Sequence, residues 1–97
     1  MKIKFADGTE FKCIQLTEQM TFANGVPAGW VMNAVVQDAS SALVQSVLTG
    51  ENISEISAVT DNGGPIATIT GYEKINALAV KYIDNSPIAT FQLSKGV

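Results

Sequence analysis

Histidine and arginine are absent from this 97-residue chain, and cysteine occurs once. Without histidine there is neither the commonest general base nor the commonest metal ligand. Six lysines are scattered through a chain of net charge −3. Direct nucleic-acid binding rests on clustered lysine and arginine, so none is expected. A lone Cys13 forms no internal disulfide and no cysteine zinc site. Its place in a hairpin strand predicts a buried, inert thiol. No apolar run approaches the roughly 20 residues that span a bilayer, so no membrane partner is expected. Met1-Lys2-Ile3-Lys4-Phe5 has no long apolar stretch of the signal-peptide kind, and the chain is read as made in a cytoplasm.

Charge of either sign is also scarce. Charged residues make up 15% of the chain, against a typical ~25%. A surface so lightly charged tolerates contact with other subunits. The length is that of one domain, residues 1–97, burying roughly 60–70% of its unfolded surface.

What is present is a series of hairpin patterns. Tyr72 to Lys95 reads as two strands around Asp84-Asn85-Ser86-Pro87. An Asn85-Ser86 loop sets Tyr82 opposite Ala89, Val80 opposite Phe91 and Leu78 opposite Leu93, all on one apolar face. Lys81 with Thr90 and Ala79 with Gln92 form a mixed outer face that is expected to be wet. In the first hairpin, Lys2 to Leu16, a two-residue loop at Asp7-Gly8 would oppose Phe5 and Glu10. A three-residue loop, Ala6-Asp7-Gly8, pairs Ile3 with Phe11 and Lys4 with Glu10 and gathers Ile3, Phe5, Phe11 and Cys13 on one face, so it is preferred. A third hairpin, Glu55 to Thr70, turns at Asn62-Gly63 as a type I′ loop. It pairs Ile56 with Ile69, Ala58 with Ala67 and Val59 with Ile66, leaving apolar groups on both faces.

Asn24 to Gly29 is dense in turn formers and reads as a loop. Trp30 to Val36 is a candidate strand with Trp30, Met32, Ala34 and Val36 on one side. One helix of about ten residues follows. Ser40 or Ser41 caps it, Leu43, Val44, Val47 and Leu48 form its apolar stripe, and Gly50 stops it. The fold class is therefore mainly β (α+β): an antiparallel sheet or small sandwich of three hairpins with one short helix packed on it.

Catalytic patterns are not found. Asp7, Asp61 and Asp84 fall in turns, where aspartate bonds its own backbone. Asp61-Asn62-Gly63 lacks the remaining ligands of a calcium loop. Gly63-Gly64 is not followed by Lys-Ser/Thr, and no serine sits in a nucleophile elbow. No cofactor is expected. Trp30 is either a partly buried anchor closing the core or an interface residue, since tryptophan is enriched at binding hot spots. Pro65 to Thr70 is a candidate edge strand with no charge as far as Gly71. Trp30, Val59, Ile66 and Thr68 are the candidate interface residues.

Two longer stretches carry a resemblance. Phe5-Ala6-Asp7-Gly8-Thr9 is followed by a helix and by Leu48-Thr49-Gly50-Glu51-Asn52-Ile53-Ser54-Glu55-Ile56. Thr68-Ile69-Thr70-Gly71-Tyr72-Glu73-Lys74-Ile75 then leads into a closing hairpin. This order is similar to that of small proteins encoded among the structural genes of phages and prophages of Gram-positive bacteria. The resemblance implies a non-enzymatic structural or assembly protein of a tail or baseplate. Its partners would be itself, as a homo-oligomer, or other phage structural proteins, and it would be made in the bacterial cytoplasm and associated with the virion. It supplies no site residues. The alternative is a small peptide- or carbohydrate-binding module using Trp30, Tyr72 and Tyr82.

Overall fold

A computed structural model describes residues 1–49 and 51–96. The chain forms β1 (Lys2–Lys4), β2 (Glu10–Ala23), β3 (Val26–Gln37), α1 (Ser41–Val47), a 3₁₀ turn (Asn52–Ser54), β4 (Glu55–Val59), β5 (Pro65–Thr70), β6 (Lys74–Ile83) and β7 (Ser86–Gly96). The seven strands run in the order β5-β4-β1-β2-β3-β7-β6, with every neighbouring pair antiparallel. The mainly β class with one short helix is as the sequence predicts. Four hairpins build it rather than three.

β2 joins two halves. Its first residues, Glu10 to Lys12, pair with β1, and from Cys13 onward it pairs with β3. Ile14 is the extra residue between Cys13 and Gln15, and the strand changes partner at that bulge. The halves meet face to face through aromatic rings. Phe5 lies 6.2 Å from Phe91, centroid to centroid, and 5.9 Å edge-on from Phe11. Ile3, Met32, Val36, Ile53, Ile56 and Leu93 complete a core in which each is fully buried. α1 packs beside β7, turning Val44 and Val47 inward.

The first hairpin has the expected register and three-residue loop. Ile3 pairs with Phe11, and Gly8 takes φ +93°. Asp7 accepts from the Thr9 N–H at 2.9 Å and from Asn52 at 3.3 Å, tying the loop to the 3₁₀ turn. These bonds hold its carboxyl below the usual aspartate range, the Thr9 N–H contributing most.

Several expectations are corrected. Asn24 to Gly29 is not a loop. Asn24-Gly25 alone makes the turn, with φ of 53° and 78°, and Val26 resumes as strand. The Gly and Pro density reflects a bulge, in which Thr21 faces Gly29 and Phe22 faces Pro27 with Ala28 left over. Gly29 is required by a close approach, because a Cβ there would overlap the Lys95 carbonyl oxygen. In the last hairpin Asp84-Asn85, not Asn85-Ser86, forms the turn, both residues taking positive φ as type I′ demands. Leu78 therefore faces Phe91 and Val80 faces Ala89, a slip of two from the expected register. A slip of two leaves every side chain on its expected face, so Ala89, Phe91 and Leu93 are buried nonetheless. Tyr82 faces Pro87 and projects beyond the core, 66% exposed. Gln92 is half-buried rather than wet.

The turn of the β4–β5 hairpin is a three-residue loop. The Thr60 N–H donates to the Gly64 carbonyl at 2.8 Å, and Gly63 alone takes positive φ. Val59 therefore faces Pro65, with Ile66 bulged out. The helix has seven residues. Ser40 caps it by accepting from the Leu43 N–H at 3.3 Å, while Leu43 itself points outward. Gly50, the expected stop, lies outside the described residues.

Candidate interaction surface

The four expected interface residues do not form one patch. Val59 and Thr68 lie on the outer side of the β4–β5 ribbon, with Ile66 in the adjacent bulge and 54% exposed. Trp30 sits on β3 opposite Lys95, whose ammonium reaches the Thr70 carbonyl at 2.5 Å. That contact places Trp30 near the Thr70 end of the ribbon, away from the Val59–Pro65 end. Trp30 is half-buried and packs against the core, so it anchors the fold. It also lines an open cleft of about 400 Å³ together with Thr21, Glu73, Lys74 and Lys95.

The three aromatics of the binding-module reading do not converge either. Tyr72 lies in the β5–β6 connection and is only 1% exposed. Its hydroxyl donates to Glu18 at 2.6 Å, and the Lys95 ammonium stands 4.7 Å above its ring. Burial and the bond to Glu18 push its phenol well above the ordinary tyrosine value, burial most. Tyr72, Glu18 and Lys95 thus clamp the connection across the inner face. Tyr82 is at the tip of the β6–β7 hairpin, the end away from Gly96 and the cleft.

The outer face of β3, β7 and β6 carries a polar ladder. Gln92 donates to Asn33 at 3.0 Å and accepts from Asn76 at 3.2 Å, and Ser94 donates to Asn76 at 3.0 Å. These amides satisfy one another and hold the Asn76 bulge, so the ladder fixes sheet geometry. Cys13 is buried, and desolvation raises its thiol above the usual value.

The most exposed large apolar residues, Phe22, Val26, Tyr82 and Ile83, lie elsewhere, at two hairpin tips. β2 and β3 run past the last residue of β7 that pairs, Gly96 opposite Gly29. The remaining tip is a two-stranded arm on which Phe22 is 63% and Val26 61% exposed. No charged residue occurs from Gln19 to Gln37. Sequence reasoning missed this arm because Asn24-Gly25, a strong hairpin signal, stood beside a second glycine and a proline. Tyr82 and Ile83 are likewise exposed, on opposite faces of the opposite tip.

Among the described residues no helix is long and apolar enough to cross a membrane. No protein-family model, curated protein or solved structure matches the chain.

Proposed function

We propose that this chain is a non-enzymatic structural or assembly protein that acts through protein–protein contacts, in the tail or baseplate of a phage particle. The observation that carries the contact role is the placement of large apolar side chains at uncharged strand ends. Phe22 and Val26 protrude from opposite faces of an arm that, among the described residues, no third strand covers. A hairpin tip that leaves large apolar side chains exposed on both of its faces favours burial against another protein. The low overall charge favours the same role, since copies repel weakly. The phage setting rests on the sequence resemblance.

The test is co-expression with the proteins encoded by the flanking genes, followed by sizing of the purified mixture. The reading expects capsid and tail genes on either side and co-elution with at least one of their products. A sugar-utilisation operon around the gene, with no co-eluting neighbour, would overturn it.

A further inference from the structure

Among the described residues, three strand edges are open besides the short β3 end at Val26–Ala28, which Pro27 interrupts, and they are not equivalent. β5 begins with Pro65, which has no N–H to donate, and its own Ile66 is bulged. β6 carries Lys74 and Lys81 on one face and is itself bulged at Asn76. Proline, lysine and bulges in the edge strand are the devices that stop further strands from adding. The third edge is β2 beyond its partner change. β1 reaches only as far as the Cys13 N–H, which donates to the Met1 carbonyl at 2.9 Å. From Gln15 to Ala23 the strand has neither proline nor lysine, and its pairing with β3 places the extra residue on β3. Its single charge, Glu18, is turned inward onto the Tyr72 hydroxyl.

Resting on the contact role proposed above, we infer that β2 pairs antiparallel with β2 of a second copy about a two-fold axis at Gln19. The residues select this register. Inward-facing Leu16, Glu18, Met20 and Phe22 alternate with outward-facing Gln15, Thr17, Gln19 and Thr21 along the edge. Centring the axis on Glu18 would oppose two carboxylates, which is destabilising. Centring it on Thr17 would set Phe22 against Lys12, whose edge β1 already occupies. Centring it on Gln19 uses the whole stretch. Leu16 then meets the second copy's Phe22, Glu18 meets Met20, Thr17 meets Thr21, and Gln15 meets Ala23. The second copy's Asn24-Gly25 turn falls beside Ile14, where β1 takes over the edge.

The pairing is isologous and closes on itself, as a two-fold contact must. It joins two four-stranded half-sheets into one of eight and covers Phe22. The shared edge of nine residues is about 30 Å long. A standard interface buries about 800 Å² per partner, roughly a seventh of the 5632 Å² surface of this chain. An edge contact of nine residues without charge pairs predicts a reversible dimer.

Cysteine cross-linking of the full chain tests the register. Residues opposite one another in an antiparallel pair have Cα atoms about 4.5–5.5 Å apart, within disulfide range. Gln19→Cys should give a disulfide-linked dimer on mild oxidation. Thr17→Cys alone should not, because the two copies of residue 17 stand about 13 Å apart along the strands. Thr17→Cys mixed with Thr21→Cys should cross-link. Wild-type protein, with only buried Cys13, is the control and should stay uncross-linked. Circular dichroism and thermal melts of each variant, matched to wild type, establish folding. A folded Gln19→Cys that stays monomeric under oxidation overturns the inference. If wild type still elutes as a dimer, another edge pairs and the contact role survives; co-elution with flanking-gene products tests that role separately.

Discussion

Phe91→Ala is the sharpest perturbation of the core that joins the two halves. The ring is 1% exposed and stands 6.2 Å from Phe5 at an interplanar angle of 48°. Phe5 in turn packs edge-on against Phe11. Emptying a buried phenylalanine costs about 3–5 kcal/mol, the cavity term included. The lost aromatic pair belongs at the upper end of that range, since such pairs contribute about 0.5–1.5 kcal/mol beyond their area. A domain of this size has about 5–15 kcal/mol to lose, so the variant retains a minority to a modest majority of its stability. Each kcal/mol moves Tm by about 4–8 °C at this length, which puts the expected drop above about 12 °C. Urea unfolding followed by Trp30 fluorescence and circular dichroism measures it, and an unchanged m-value licenses the comparison. Phe22→Ala, read at a concentration low enough to keep the chain monomeric, should stay within about 0.5 kcal/mol because its ring is exposed. A Phe91→Ala loss below about 1 kcal/mol, or equal losses for the two variants, would refute the packing of the two halves on each other.

Other perturbations follow from the same contacts. Gln92→Ala breaks bonds to Asn33 and Asn76 on a half-buried face, so it should cost about 1–2 kcal/mol in urea melts rather than nothing. Gly29→Ala forces a Cβ against the Lys95 carbonyl and should lower stability by about 1–3 kcal/mol, the usual range for overpacking. Tyr72 has a folded pKa raised above its ordinary value of 10. The folded state therefore favours the neutral phenol, and that stabilisation is complete below about pH 10 and lost as pH rises beyond it. Tyr72→Phe should remove the late tyrosinate step at 295 nm and flatten the alkaline decline in Tm. Cys13 should resist a thiol reagent in native buffer and react fully in denaturant.

What could be read from the sequence followed the periodicity of apolar residues. Ile3, Phe5, Phe11 and Cys13 alternate around Asp7-Gly8, and one choice of loop alone sends all four inward. Ala89, Phe91 and Leu93 were legible as core for the same reason, even though the turn beside them was set one residue off. Alternation reports the face, not the partner, so a slip of two is invisible to it. Asp84 supplied the missing left-handed residue, a role for which asparagine and glycine compete. The β2–β3 arm was hidden because Pro27 and Gly29 look like loop, whereas the arm tip has no outer neighbour for Pro27 to disrupt. The interface residues were the least legible. Ile66 is exposed, but Trp30 is held by the core, and the open edge of β2 is a property of which strands end early. Such a property is written in the sheet order and in no single motif.

The most direct measurement of the account is the solution mass by light scattering behind a sizing column, from micromolar to several hundred micromolar. The wild-type chain should rise from 10.2 kDa toward twice that mass with concentration. Gln19→Lys, which opposes two like charges at the axis, should remain at the monomer mass with an unchanged Tm at low concentration. A wild-type mass fixed at 10.2 kDa across the whole range, or a Gln19→Lys variant that dimerises as readily as wild type, would contradict the pairing of β2 with itself.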